Sequence, residues 1–334
     1  MKAAVFHGPL DVRFEEVEKP VLEEGEALLR VKACGICGSD LHTYRHGMFL
    51  QLGKPIEEGR ILGHEFSGEI VEIKGDMGDI KVGDRVVTVG MGGNAEYLKI
   101  STQMAGITLP IAEGISFEEA ATNEPLATSV HAVNLAEPQD DETIVIMGAG
   151  IIGLGVLQCV KAMASARTIV VDVSDKRLDM ATELGADVVI NASRDDAVAT
   201  IMDLTGSREL NMVETSQGNV NTVFDCAGAG KNSTGASVLE QALALVQENG
   251  KVIVVAVFEK PLEIDFNIIM RKGIKLLGSW AWSPAEFVQA MELIGSGKID
   301  RKPLITHTFT LEDASEAYDT QLKAEEAVKV VLTP

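Results

Sequence analysis

The segment Gly35-Ile36-Cys37-Gly38-Ser39-Asp40-Leu41-His42 and the tripeptide Gly63-His64-Glu65 hold the residue types best suited to chemistry. Cys37 offers a thiolate, His64 an imidazole and Glu65 a carboxylate. This mixed set of soft and borderline donors suits zinc with one position left open for a reacting group. Ser39 and His42 can pass a proton, and Asp40 can accept a hydrogen bond from the outer nitrogen of His64 and so orient the ring. Taken singly, Cys37 reads as a small core hydrophobe and His64 as a buried imidazole bonded to a carbonyl. Together, ahead of a nucleotide-binding pattern, they read as a metal site that polarises an alcohol oxygen so that hydride can depart.

The nucleotide pattern is Gly148-Ala149-Gly150-Ile151-Ile152-Gly153, a G-x-G-x-x-G between an expected strand and an expected helix. Its glycines allow a tight turn, close approach of backbone to a pyrophosphate, and helix-to-strand packing. Alone the pattern is weak, because glycine-rich turns are common and methyltransferases use a related one. Asp172 strengthens it by ending the next strand about twenty residues on, where a carboxylate accepts from ribose hydroxyls and repels a 2′-phosphate. NAD is therefore expected over NADP, although Arg177 adds a basic group able to reach a phosphate.

These residues need two different frames. Residues 1 to about 100 read as short strands with Gly-rich turns, Lys2-Phe6, Val12-Glu16, Ala27-Ala33, Gly68-Lys74, Asp84-Thr88 and Ala95-Lys99, hence a mostly antiparallel β domain. Ser116-Phe117-Glu118-Glu119 is a capping box opening a short helix, and Asn123-Glu124-Pro125-Leu126 precedes another. From Thr143 strands and helices alternate. Continuously apolar runs such as Lys251 to Val257 imply a parallel sheet covered on both faces, a doubly wound domain. After Gly278 a helix from Pro284, a Thr310-capped helix and a last strand Val328-Leu332 do not extend the alternation. The division expected is 1–125, 126–280 and 281–334, with the tail returning to the first domain.

Fifty acidic against twenty-nine basic residues give a net charge of -21, which works against binding nucleic acid or an anionic membrane. No window reaches the ~18 apolar residues of a membrane span and the N-terminus has no signal-peptide core, so a cytoplasmic protein is expected. Four cysteines at 34, 37, 159 and 226 suit reduced thiols rather than a disulfide framework. Cys34 and Cys37 form a C-x-x-C, whose redox reading is poor because the pair is not expected at a strand-to-helix start within a βαβ unit. With no second C-x-x-C, a four-cysteine zinc site is excluded. Gly47 to Arg60 is the longest expected irregular piece, and Tyr44-Arg45-His46-Gly47 reads as a loop able to bind a carboxylate or sugar hydroxyls.

The Gly-Ile-Cys-Gly-Ser-Asp-Leu-His segment, Gly63-His64-Glu65, Asn123-Glu124-Pro125-Leu126, the Gly-rich turn with Asp172 and the tail Pro303-Leu304-Ile305-Thr306-His307 together resemble the zinc-dependent medium-chain alcohol and polyol dehydrogenases, over essentially the whole chain. The resemblance implies a Rossmann domain inserted into a GroES-like catalytic domain, and one catalytic zinc on Cys37 and His64 with Glu65 a direct or exchangeable ligand. Glu124 matches the position where alcohol dehydrogenases carry a ligand cysteine and polyol, threonine and butanediol dehydrogenases carry glutamate. Ser39 would take the substrate proton and pass it through the cofactor ribose to His42. The implied reaction oxidises a secondary alcohol of a small polar substrate with NAD. A zinc-free reductase of activated double bonds and a non-enzymatic NAD-binding protein are the alternatives. Many relatives carry a second, structural zinc in a four-cysteine lobe, and here Val89-Gly90-Met91-Gly92-Gly93-Asn94-Ala95-Glu96 runs straight across. A homodimer or homotetramer is expected, with pairing near Asn267-Gly278.

Overall fold

The computed structural model describes residues 1–49, 54–209, 216–228 and 236–334. Its backbone falls into two units, Met1–Ala127 with Ser283–Pro334, and Thr128–Trp282.

The first unit begins with β1 (Lys2–Gly8), β2 (Asp11–Glu16) and β3 (Glu26–Gly35), followed by helix α1 (Gly38–His46). Cys37 caps α1, and Gly47 at φ 68° ends it. Then come β4 (Met48–Phe49), β5 (Lys54–Pro55), β6 (Arg60–Ile61), β7 (Glu65–Lys74), β8 (Arg85–Val89), β9 (Tyr97–Ser101) and β10 (Leu109–Pro110). Helix α2 (Phe117–Ala121) opens on the Ser116/Glu119 capping box, and α3 (Asn123–Ala136) follows.

In the second unit β11 (Thr143–Met147), α4 (Ile151–Met163), β12 (Arg167–Asp172), α5 (Asp175–Glu183), β13 (Val188–Asn191) and α6 (Ala197–Thr205) alternate. A ribbon of β14 (Ser207–Glu209) and β15 (Ser216–Gly218) precedes β16 (Val220–Asp225), α7 (Val238–Leu245), β17 (Val246–Val254), α8 (Phe266–Lys272) and β18 (Lys275–Gly278). The chain then returns to the first unit with α9 (Pro284–Gly295), β19 (Ile305–Phe309), α10 (Ala314–Leu322) and β20 (Lys329–Leu332).

The main sheet of the first unit runs β10-β8-β7-β3-β20-β19, with β9 also on β3 and a smaller sheet β2-β1-β6 beside it. Pairing is antiparallel except between β19 and β20. Alternation along β7 turns Phe66 and Ile70 into a core with Leu29, Val31, Val86 and Ile100. The second unit's sheet is parallel, in the order β13-β12-β11-β16-β17-β18, and its strands are apolar on both faces because helices cover both. A Rossmann-type parallel sheet alongside an antiparallel unit is the fold class read from the sequence.

Three local expectations change, and the poor redox reading of the C-x-x-C holds. The C-x-x-C does sit at a strand-to-helix junction, between β3 and α1, but in an antiparallel sheet. Cys34 is buried in the core, and burial pushes its thiol well up, so it is a hydrophobe rather than a redox partner. Tyr44 to His46 belong to α1 instead of a loop, and Tyr44 is buried with its hydroxyl donating to Asp319 at 2.9 Å. The segment after Gly47 is not wholly irregular, since β4 pairs with β5; residues 50–53 lie outside the described residues. The strand expected to reach Val257 stops at Val254, because Val255 and Ala256 both donate to the Asp225 carbonyl and turn the chain.

Lys272 shows how a charge is held in the second unit. It is 2% exposed, and its Nζ donates to the carbonyls of Leu243, Ala244 and Val246 at 2.7, 2.9 and 2.9 Å around the C-terminus of α7. Burial lowers its pKa to about 8, against about 10.4 for an unfolded lysine. Between these values the unfolded chain holds a proton that the folded chain has released, so this residue's contribution to stability rises with pH through that window. The urea midpoint of the parent relative to Lys272→Met should therefore shift in the parent's favour from pH 7 to pH 10. An unchanged difference would show that the proton stays on.

Candidate metal centre and cofactor cradle

Three local features bring the metal donors together. The turn after β3 places Cys37 at the head of α1, where Asp40 Oδ2 accepts from the Cys37 N–H at 3.0 Å. The turn before β7 presents His64, and β7 itself begins with Glu65, paired across the sheet with Gly35. A Cβ at position 35 would run into Glu65 Oε2, so the close approach of the two strands requires glycine there. Donor atoms of Cys37, His64 and Glu65 all lie within 4.8 Å of one another.

Asp40, 3% exposed, has Oδ1 3.6 Å from His64 Nδ1, which leaves the other ring nitrogen for the side of Cys37. Burial alone would depress the His64 pKa, but the charges and hydrogen bonds of Asp40 and Cys37 outweigh it and hold it well above the usual histidine value. Burial pushes Asp40 the other way, and the His64 charge and hydrogen bond bring it below the usual carboxylate range. A pocket that favours positive charge so strongly suits a cation held by thiolate and imidazole.

Glu65 supplies the clearest sign of fit. Its Oε2 accepts from the Lys329 ammonium at 2.6 Å, both side chains being 1% exposed, while its buried Oε1 has no hydrogen-bond partner. A buried oxygen without a donor, on a carboxylate that comes within 4.8 Å of a thiol and an imidazole, is what a metal ligand leaves when the protein alone is considered. Lys329 also donates to the Ile36 carbonyl at 2.9 Å. Burial lowers its pKa, and Glu65, helped by Cys37 and Glu124, more than reverses this. Glu124, in the first turn of α3, is outside the mutually close donor group. Ser39 and His42 are half-buried one turn apart on α1, with an Arg45 guanidinium nitrogen 3.3 Å from His42 Nδ1.

Sequence reasoning missed Lys329. Its signal was a lysine inside the otherwise apolar run Ala327-Val328-Lys329-Val330-Val331-Leu332, a charge that a fully buried strand tolerates only with a partner.

In the second unit the Gly148–Gly153 turn joins β11 to α4, and Gly150 is the α4 cap with no side chain over the first turn's N–H groups. That helix start is ready for a pyrophosphate. A Cβ at Gly153 would overlap the Gly148 carbonyl oxygen, so the third glycine sets how closely helix and turn pack. Ile152 is half-buried in the same turn. Asp172 ends β12 and is more heavily engaged than expected: Oδ2 accepts from Ala149 N–H at 2.6 Å, and Oδ1 from Val173 and Ser174 N–H at 2.8 and 2.9 Å. Oδ1 is filled by its two donors, and Oδ2, with one, keeps lone-pair capacity for a ribose hydroxyl. An Arg177 guanidinium nitrogen stands 3.9 Å from where a Cβ on Gly150 would be, beside the same turn.

A mixed thiolate, imidazole and carboxylate cluster in an antiparallel unit, with a glycine-rich doubly wound unit in the same chain, defines a two-domain metal-dependent dehydrogenase. Residues 23–120 match the alcohol dehydrogenase GroES-like domain and residues 152–296 the zinc-binding dehydrogenase family. The chain is 31% identical over 366 residues to (R,R)-butanediol dehydrogenase of Bacillus subtilis, covering 100% of both. It is 30% identical over 368 residues to sorbitol dehydrogenase of the same organism, covering 100% of this chain and 97% of the relative. The solved structure of 2R,3R-butanediol dehydrogenase from Bacillus subtilis superposes with a TM-score of 0.84 at 29% identity, covering 100% of this chain and 99% of that one. The chain belongs to the zinc-type medium-chain alcohol and polyol dehydrogenases, whose cofactors are zinc and NAD(H).

Removing Lys329 tests the ion pair. Lys329→Met leaves the Glu65 carboxylate buried without its partner and should destabilise the first unit by about 3–5 kcal/mol. The pair Lys329→Met with Glu65→Gln should recover much of that loss, as denaturant midpoints of the zinc-stripped proteins would show. A double variant no more stable than Lys329→Met would mean that Lys329 acts through packing alone.

Proposed function

We propose that the chain oxidises a secondary hydroxyl of a small polyol or vicinal diol to a ketone, with NAD as acceptor. The orphaned, buried Oε1 of Glu65, on a carboxylate close to Cys37 and His64, carries this reading, because a buried acceptor without a donor supports a metal ligand over a chance cluster. Similarity to a butanediol and a sorbitol dehydrogenase supports the substrate class. When bound, zinc lowers the pKa of the substrate hydroxyl and NAD takes the hydride.

The protein's own groups do the rest. Cys37, His64 and Glu65 hold the ion, with Glu124 an alternative ligand to Glu65. Asp40 fixes the His64 ring and Lys329 holds the second Glu65 oxygen. Ser39 Oγ accepts the substrate's proton and His42, one turn along α1, delivers it to solvent. In the second unit Gly148, Gly150, Ile152 and Gly153 shape the pyrophosphate turn, while Asp172 accepts from the ribose hydroxyls and disfavours a 2′-phosphate. Arg177 serves the pyrophosphate. The sequence division at 125 and 280 is the working assignment of catalytic and cofactor halves.

No helix among the described residues is long and apolar enough to cross a membrane. We place the enzyme in the cytoplasm, as a homodimer or homotetramer built on β18. That strand is the edge of the parallel sheet, and Phe266 and Met270, one turn apart on α8, are 68% and 70% exposed beside it in sequence.

A panel of diols, polyols and hydroxy acids followed by NADH absorbance tests the substrate class; turnover confined to hydroxy acids would overturn it. Cys37→Ala should abolish turnover and leave NADH binding within about twofold, since ligand and cradle lie in different units. An equal collapse of NADH affinity would contradict the assignment of the halves. Asp172→Ala should narrow the preference for NAD over NADP by about 1–3 kcal/mol in kcat/KM. A parent already indifferent to the 2′-phosphate would refute the role of the carboxylate.

A further inference from the structure

Two of the three metal donors stand outside the sheet, Cys37 at the head of α1 and His64 in the Leu62–His64 turn, and each must be held still before an ion binds. The His64 turn precedes β7, so sheet pairing fixes Glu65 but not the residue before it. What holds the turn from behind is the short connection between β8 and β9. Gly92 and Gly93 both donate to the Gly63 carbonyl, at 3.1 and 2.9 Å, and Asn94 donates to the Leu62 carbonyl at 3.0 Å. The Asn94 carbonyl in turn accepts from Ala4 at 2.8 Å, which ties the connection to β1.

The Asn94 side chain extends this clamp towards the other donor segment. It is 1% exposed and packs over Gly63, at φ 89°, so closely that a Cβ there would strike Asn94 Oδ1. Its Nδ2 donates to the Tyr318 hydroxyl on α10 at 2.9 Å. Tyr318 is fully buried, and its ring lies 5.0 Å from that of Tyr44 on α1, the helix headed by Cys37 and carrying Asp40. A continuous polar and aromatic path thus runs from the His64 turn through Asn94 and Tyr318 to the Cys37 helix.

We propose that Asn94 is a positioning residue for the metal site: seated on Gly63 and bonded to Tyr318, it holds the His64 turn in register with α1 and so sets the affinity for the ion. The proposal rests on the reading of Cys37, His64 and Glu65 as ligands. Neither Asn94 nor Tyr318 touches the ion. Their effect is to limit how far the imidazole can move from the thiolate, which is energy that the ion would otherwise have to supply on binding.

The test is zinc affinity, measured by chelator competition, alongside the melting temperature of the zinc-stripped protein and NADH binding. Tyr318→Phe removes one hydroxyl and keeps the ring, and Asn94→Ala removes the amide. Each should weaken zinc by about tenfold, and the double variant should lose little more than either, because both cut the same bond. NADH affinity should not change. Thr108→Val, which removes a buried hydroxyl bonded to Thr88 and Met104 elsewhere in the unit, should lower the melting temperature at unchanged zinc affinity. Should Asn94→Ala not fold, Tyr318→Phe decides. Tyr318→Phe melting lower yet binding zinc like the parent would overturn the proposal. Cys37→Ala binding zinc like the parent would instead overturn the ligand assignment beneath it.

Discussion

The 2.6 Å contact between Lys329 and Glu65 is the interaction on which the rest of the catalytic unit depends. Two full charges taken out of water are tolerated only if their geometry is tight and their remaining hydrogen-bonding capacity is met. Lys329 places two of its three N–H donors on Glu65 and the Ile36 carbonyl, and Glu65 has one oxygen left over, which points to a cation. The chain can form this pair only if β20 lies against β3, with Val331 opposite Gly35 and Leu332 opposite Cys34. The end of the chain must therefore return to its beginning. The nucleotide-binding unit is accommodated as an insertion between them, and Glu65 has its buried partner only where the two flanks pair.

How legible this was depended on the range of the contacts. The doubly wound unit could be read because its determinants are local: apolar strands such as Lys251 to Val257, their alternation with helices from Thr143, and a glycine turn followed by Asp172. Cys37, His64 and Glu65 were also visible, since residue types that bind metal stand beside glycines that only a close approach would require. Lys329 was not, because its partner lies 264 residues away and no local pattern links them. Tyr44 was misread for the converse reason. Its Tyr-Arg-His-Gly setting looks like a polar loop, but the ring is drawn into the core by Tyr318 and Asp319, contacts made 274 and 275 residues later in the chain. The overlong strand ending at Val257 failed because hydropathy does not register that the Asp225 carbonyl captures two successive N–H groups.

The two halves also encode their chemistry in different materials. The cofactor cradle is largely backbone: a helix start capped by glycine, and a carboxylate whose position is fixed by three main-chain N–H donors. Backbone donors come with the fold, so the cradle is specified by where glycine is allowed and by a single acidic side chain. The proposed metal centre is built from side chains on separate elements, α1, the turn before β7, and β7 itself, and its precision has to come from whatever locks those elements together. In this chain β8 and β9 are joined by a short connection whose N–H groups close on the Leu62 and Gly63 carbonyls behind His64. The ligand turn is thus in direct contact with that connection, and the rigidity of the proposed metal site rests on seven residues between β8 and β9, from Gly90 to Glu96.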